Sequence, residues 1–169
     1  MTKQLPPQAL LRRLFSYDIL TGDLVWNYNA DYPIGWNTRL AGTIAGKTAA
    51  NGYLHIEIGG HGRFLAHRLI WQMVFGSCPE FLDHKNGVRT DNRIQNLRPA
   101  TRSQNNVNRR VPARSLPRGV SFHQSTGLFR ARTKRNGKEV MFGLFRTPQA
   151  AAEAHAIGVK RVHGEFAPC

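Results

Sequence analysis

Residues 82–106 read Leu82-Asp83-His84-Lys85-Asn86-Gly87-Val88-Arg89-Thr90-Asp91-Asn92-Arg93-Ile94-Gln95-Asn96-Leu97-Arg98-Pro99-Ala100-Thr101-Arg102-Ser103-Gln104-Asn105-Asn106. An imidazole, which titrates near neutral pH, stands beside a carboxylate and upstream of several amide oxygens. Those are the groups needed to deprotonate water and to hold a hard divalent cation against a phosphodiester. His84 can supply the base, and Asp83 and Asn105 the oxygens. Adjacent strand residues face opposite ways, so Asp83 and His84 share a pocket only where the strand bends, and Asn86-Gly87 is the turn signal for such a bend. Thr101-Arg102-Ser103-Gln104 has the form of a capping box, which predicts a helix with Asn105 in its second turn. The expected order is strand, loop, short second strand around Leu97-Arg98, then helix.

From about Ala66 to Arg110 this segment resembles the HNH family of nucleases, also called the ββα-metal or His-Me finger, and in particular its phage and intron-encoded homing type. The resemblance implies His84 as general base, Asp83 as first metal ligand and Asn105 as second, at a position where the family often has His. Asn96 matches the central Asn of the motif, which in that family bonds across the loop and orients the catalytic His. One divalent ion per finger, Mg²⁺ or Mn²⁺, is implied as cofactor. An amide ligand leaves less negative charge than a second carboxylate, so phosphate oxygens of the DNA complete the shell and tight binding of the ion without DNA is not expected.

Composition agrees with a polyanionic partner. Lysine and arginine outnumber acids 24 to 10, the net charge is +14 and the pI is about 11.1, the electrostatic footprint of nucleic acid binding. Neither a basic amphipathic helix nor an apolar span points to a membrane. Cys78 and Cys169 make no disulfide framework and no Cys-x-x-Cys ribbon, so no disulfide-linked partner is expected and a reducing cytoplasm fits. If the chain is phage-encoded, that is the cytoplasm of a bacterial host. No secretory signal is read at the N-terminus.

Ahead of the finger, helical spacing of apolar residues predicts a helix over Gln8–Tyr17, and Thr21-Gly22-Asp23 before Leu24-Val25-Trp26 predicts a hairpin. This opening looks like the leader of many phage HNH proteins and is expected to brace the finger. Residues 30–47, rich in Gly and poor in periodicity, predict a loop with one short strand near Leu40. Tyr53–Ile58 and Arg63–Leu65 form a second hairpin, followed by a buried helix over His67–Phe75 that ends at Gly76. His67 is expected in the core, and Arg68 within reach of a phosphate. His55 and His61 straddle a turn with no fourth ligand at zinc spacing. Beyond the finger, Arg109, Arg110, Arg114 and Arg118 lie in a proline-containing basic linker suited to following a DNA backbone.

The last third predicts three strands separated by turns at Ser125-Thr126-Gly127 and Asn136-Gly137, then an Ala-rich helix opened by Thr147-Pro148. Through Arg118-Gly119-Val120, Gly143-Leu144-Phe145, Thr147-Pro148-Gln149-Ala150-Ala151-Ala152 and His163-Gly164-Glu165-Phe166-Ala167, this run resembles the APETALA2-type DNA-binding domain. That family lays its sheet in the major groove. The resemblance implies DNA contact by Arg118, Arg130, Arg132 and Lys134, and alternation sets the last three on one face. Phe129 has the opposite parity and is expected under the helix.

The fold class expected is α+β: a ββα-metal finger with an N-terminal β-rich leader, plus a small three-stranded antiparallel sheet packed on one helix. The expected domains are 1–110 for the nuclease with its leader, 111–118 for the linker and 119–169 for the APETALA2-like unit. The expected function is a metal-dependent endonuclease acting on double-stranded DNA, nicking as a monomer because each chain has one finger. The alternative is a non-catalytic DNA-binding regulator that uses the finger as a scaffold.

Overall fold

A computed structural model describes residues 4–108 and 115–167. The fold is α+β, with small antiparallel sheets and short helices in two compact units, Met1–Pro99 and Ala100–Cys169. Among the described residues no helix is long and apolar enough to cross a membrane.

In the first unit, α1 (Gln8–Leu14) turns Leu11 and Leu14 into the core. It ends three residues short of the expected Tyr17. Phe15-Ser16-Tyr17 instead forms β1, paired with β2 (Leu24–Trp26), because aromatic side chains suit a pleated, half-buried surface and the Phe15 ring packs tilted against Trp26 at 4.4 Å. The turn between these strands depends on Gly22, at φ +84°. A Cβ there would lie 2.5 Å from the backbone nitrogen of Arg93.

The expected loop over 30–47 is corrected by α2 (Ile34–Leu40), with the short strand β3 later, at Lys47–Thr48. Gly35 makes this a weak helix by propensity. Tertiary contacts decide it: Trp36 stacks on Tyr32 at 4.4 Å and meets Trp26 edge-on at 5.3 Å. The buried Asn37 side chain accepts from the Asn29 backbone N–H and donates to the Asn29 and Tyr32 carbonyls.

The hairpin of β4 (Leu54–Ile58) and β5 (Gly62–Leu65) forms as expected, with β3 paired on the other edge of β4. It buries Ile56, Ile58 and Phe64 against α3 (Ala66–Phe75), which contributes Leu69 and Ile70. Gly76 closes α3 in the left-handed conformation, and Gln8 of α1 donates to the end carbonyls of Met73 and Val74. The strands β6 (Leu82–His84) and β7 (Leu97–Pro99) then pair antiparallel across the finger loop.

The second unit opens with α4 (Arg102–Asn108). Its capping box is present: the Thr101 N–H donates to Gln104 Oε1 at 2.7 Å, and the Gln104 N–H donates to Thr101 Oγ1 at 3.2 Å. The strands β8 (Val120–His123), β9 (Leu128–Arg135) and β10 (Lys138–Phe145) follow, with β9 central, and α5 (Pro148–His163) packs on the sheet. A bulge between Met141 and Gly143 interrupts β10 at Phe142, whose ring lies over Gly158 of α5, where a Cβ would come within 2.5 Å. Val120, Ala131 and Ala151 form a buried cluster with Phe129, Phe142 and Phe145 partly buried around it, and Val159 and Phe166 are buried as well.

Candidate active site

Within the finger, β6 and β7 hold an unbroken register in which Asp83 faces Arg98 and His84 faces Leu97. Directly opposed residues share a face, so Asp83 goes with Arg98 and His84 with Leu97. The turn expected at Asn86-Gly87 follows the pair directly, with Gly87 at φ +68° and its N–H on the His84 carbonyl.

The loop is closed by amides. Asn96 Oδ1 accepts the Asn86 N–H, while its Nδ2 donates to Asn86 Oδ1 at 3.1 Å and to the Asp91 carbonyl at 2.8 Å. Asn86 Nδ2 donates to Asp91, and Arg93 forms a two-pronged pair with the same carboxylate, which is pushed down to about 2, chiefly by that Arg93 bond. The leader grips this loop from outside. Tyr17 Oη accepts the Ile94 N–H at 2.8 Å and donates to the Asn92 carbonyl at 3.2 Å.

His84 is 5% exposed, and its Nε2 lies 3.1 Å from Asn92 Oδ1. A carbonyl oxygen at Nε2 selects the tautomer protonated there, which leaves the Nδ1 lone pair as the basic site. Burial holds this imidazole below its ordinary range and Arg89 adds to the effect, against the Asn92 bond and the charges of Asp83 and Asp91. Around it stand His67, edge-on with ring centres 5.0 Å apart, and Tyr53 at 6.1 Å. His67 is a buried core residue, and burial, reinforced by His84, lowers it to about 3. It is a neutral wall for the base.

Asp83, 5% exposed, accepts from Arg98 Nε and a terminal nitrogen of the same guanidinium at 2.9 and 2.7 Å, both on Oδ2. Carboxylates that ligate metals are held in this way by outer partners, and a carboxylate plus amide and phosphate oxygens is a hard donor set that suits Mg²⁺ or Mn²⁺. Among the described residues no cluster of three or more His, Cys, Asp or Glu could hold a metal by itself. Asn105 lies in the second unit, on α4.

The other basic residues expected at DNA fall in different settings. Arg68 donates to the carbonyls of Pro79 and Glu80 and so fixes the entry into β6. Arg118 donates to the Asn106 and Val107 carbonyls at the end of α4. Arg130, Arg132 and Lys134 share the sheet face opposite Ala131. Arg132 pairs with Glu139, Lys134 is exposed, and Arg130 Nε is buried without a hydrogen-bond partner. Arg109, Arg110 and Arg114 lie outside the described residues.

Sequence reasoning misses Asn92 and Arg98. Asn92 reads as turn chemistry, although its carbonyl oxygen meets the His84 ring; Arg98 reads as a strand residue, although it holds Asp83. The cross-strand position of Arg98 is the signal that finds it once the register is known.

Residues 64–107, from within β5 to near the end of α4, match the family model of the HNH endonucleases. The match supports an HNH nuclease domain over this segment. No curated protein and no solved structure matches the chain.

Proposed function

We propose that the protein is a phage- or homing-type HNH endonuclease that hydrolyses phosphodiester bonds of double-stranded DNA with a divalent ion, nicking one strand as a monomer in the cytoplasm of a bacterial host. The observation that carries the reading is a buried imidazole, His84, whose burial disfavours its protonated form and whose Nε2 is held by Asn92, inside the segment matched by the nuclease family.

In this reading His84 Nδ1 takes a proton from water. The water oxygen bonds to phosphorus, the P–O3′ bond breaks, and the departing 3′ oxygen gains a proton from solvent. Asp83 and Asn105, with phosphate oxygens, would hold Mg²⁺ or Mn²⁺, which would supply positive charge against the pentacovalent phosphorus and the leaving oxygen. Arg98 fixes the Asp83 carboxylate, and Asn96 acts through the loop it closes, so it is a positioning residue. The second unit is assigned to placing the cut. Arg130, Arg132 and Lys134 meet DNA from the outer sheet face, Arg118 holds α4, and Arg68, Arg109, Arg110 and Arg114 add phosphate contacts.

A supercoiled plasmid incubated with the protein and Mg²⁺ or Mn²⁺ should pass to the nicked form, and EDTA should stop it. His84→Ala should lower the rate by about 10²- to 10⁴-fold while leaving DNA binding intact. Cutting by that variant at the wild-type rate would refute the assignment. One observation favours the second reading, a non-catalytic regulator: the Asp83 carboxylate already has a buried guanidinium partner. Under that reading DNA is bound and no breaks form with either ion.

A further inference from the structure

Three arginines stand on or beside the finger loop, and they are used differently. Arg93 is paired with Asp91 at 2.6 Å and Arg98 with Asp83 at 2.7 Å. Arg89, at the tip of the loop, has no carboxylate partner among the described residues. It is nevertheless held in place. One terminal nitrogen donates to the Asn51 carbonyl at 2.7 Å, and the guanidinium carbon lies 4.9 Å from the centre of the Tyr53 ring. The Asn51-Gly52 turn closes on its stem, since a Cβ on Gly52, at φ +77°, would lie 3.6 Å from Arg89 Cδ. Tyr53 is the ring that packs beside both His67 and His84.

A guanidinium lying on an aromatic face spends that face on the ring and keeps its N–H edge for a planar or tetrahedral anion. Water solvates this half-exposed group when it stands alone, and in a nuclease the anion that arrives at His84 to replace that water is a phosphodiester. We infer that Arg89 binds a non-bridging phosphate oxygen of the DNA at or next to the bond being cut, with Tyr53 and the Asn51 carbonyl as its mount. This inference rests on the nuclease reading of His84. Its charge then offsets the negative charge that gathers on the phosphoryl oxygens as water adds, a task separate from the proton transfer by His84 and from the hold of Arg98 on Asp83.

The test pairs single-turnover nicking of supercoiled plasmid in Mn²⁺ with binding of a fluorescent DNA duplex over a KCl series in EDTA. Wild type, His84→Ala, Arg89→Met and Arg89→Lys are compared. Arg89→Met should slow nicking by about 10²- to 10³-fold and reduce the slope of log affinity against log salt by about 0.9, the signature of one lost phosphate contact. Arg89→Lys should keep the wild-type slope and regain part of the rate. Nicking by Arg89→Met at the wild-type rate overturns the inference, and so does a slowed rate with an unchanged slope and no rescue by Lys, which marks a purely structural role. If Arg89→Met fails to fold, Arg89→Gln, polar but uncharged, decides by the same slope: a drop of about 0.9 upholds the contact, and an unchanged slope refutes it. If the wild type makes no breaks, the nuclease reading falls. The slope then judges Arg89 alone, a drop in Arg89→Met upholding phosphate contact and an unchanged slope rejecting it.

Discussion

His67 shows how one buried side chain ties stability to pH. Its imidazole is lowered to about 3 by burial, with His84 and Arg68 adding to the effect, whereas in the unfolded chain it titrates near its ordinary 6.5. The unfolded state therefore binds the extra proton between those values. Stability from this group is fully present above pH 6.5 and is lost progressively as pH falls toward 3, by as much as about 5 kcal/mol over the whole window. His67→Gln, which cannot take up the proton, should flatten this loss, so urea midpoints of wild type and variant should converge as pH is lowered from about 7 to about 4. A variant that loses stability as steeply as wild type would show that His67 is not the responsible group. Legibility at this scale follows chemistry. Asp83, His84 and Asn96 stand out because their residue types and spacing are specific, and His67 because it begins an apolar helix. Asn92 and Arg98 do not, since an amide in a turn and a basic strand residue have ordinary uses, and only register and burial show that they hold the base and the carboxylate.

At the scale of elements, the leader and the finger loop form one construction, joined where Gly22 meets the Asn92-Arg93 backbone and Tyr17 bridges Asn92 and Ile94. Gly22→Ala meets two separate obstacles, a left-handed backbone and a backbone atom 2.5 Å from the new methyl group. Gly60 isolates the first, being at φ +74° with nothing within 4 Å of the place a methyl group would take. Gly60→Ala should cost about 1 kcal/mol and Gly22→Ala about 2 to 4 kcal/mol, read from urea unfolding. Only Gly22→Ala should also slow nicking, because it alone pushes the leader off the loop that holds His84. Equal costs at the two sites would mean that the leader does not brace the finger. The hairpins and α3 are legible from turn residues and apolar periodicity. The helix α2 is not, because Gly35 and a weak apolar pattern argue against it, and it forms only when Trp36 and Asn37 find partners in residues 26–32.

On the scale of the whole chain, two units with separate cores predict two unfolding events. The first unit buries large side chains, Leu11, Leu14, Phe15, Leu24, Ile56, Ile58, Leu69 and Ile70 among them, whereas the buried apolar side chains of the second are Val120, Ala131, Ala151, Val159 and Phe166. Its sheet and helix are legible from the turns at 125–127 and 136–137 and from the Thr147-Pro148 cap. A unit of this size with so small a centre is expected to hold only about 3 to 5 kcal/mol, and Phe142 supplies much of its apolar cover, lying over Gly158 and edge-on to His155 at 6.0 Å. Phe142→Ala should cost about 3 kcal/mol, near the low end for such changes because the ring is only partly buried. Calorimetry of the wild type should show a lower transition from residues 100–169 and a higher one from residues 1–99. In Phe142→Ala the lower should shift to near room temperature or vanish while the higher stays in place. A single transition that moves as a whole would show that the chain unfolds as one cooperative body.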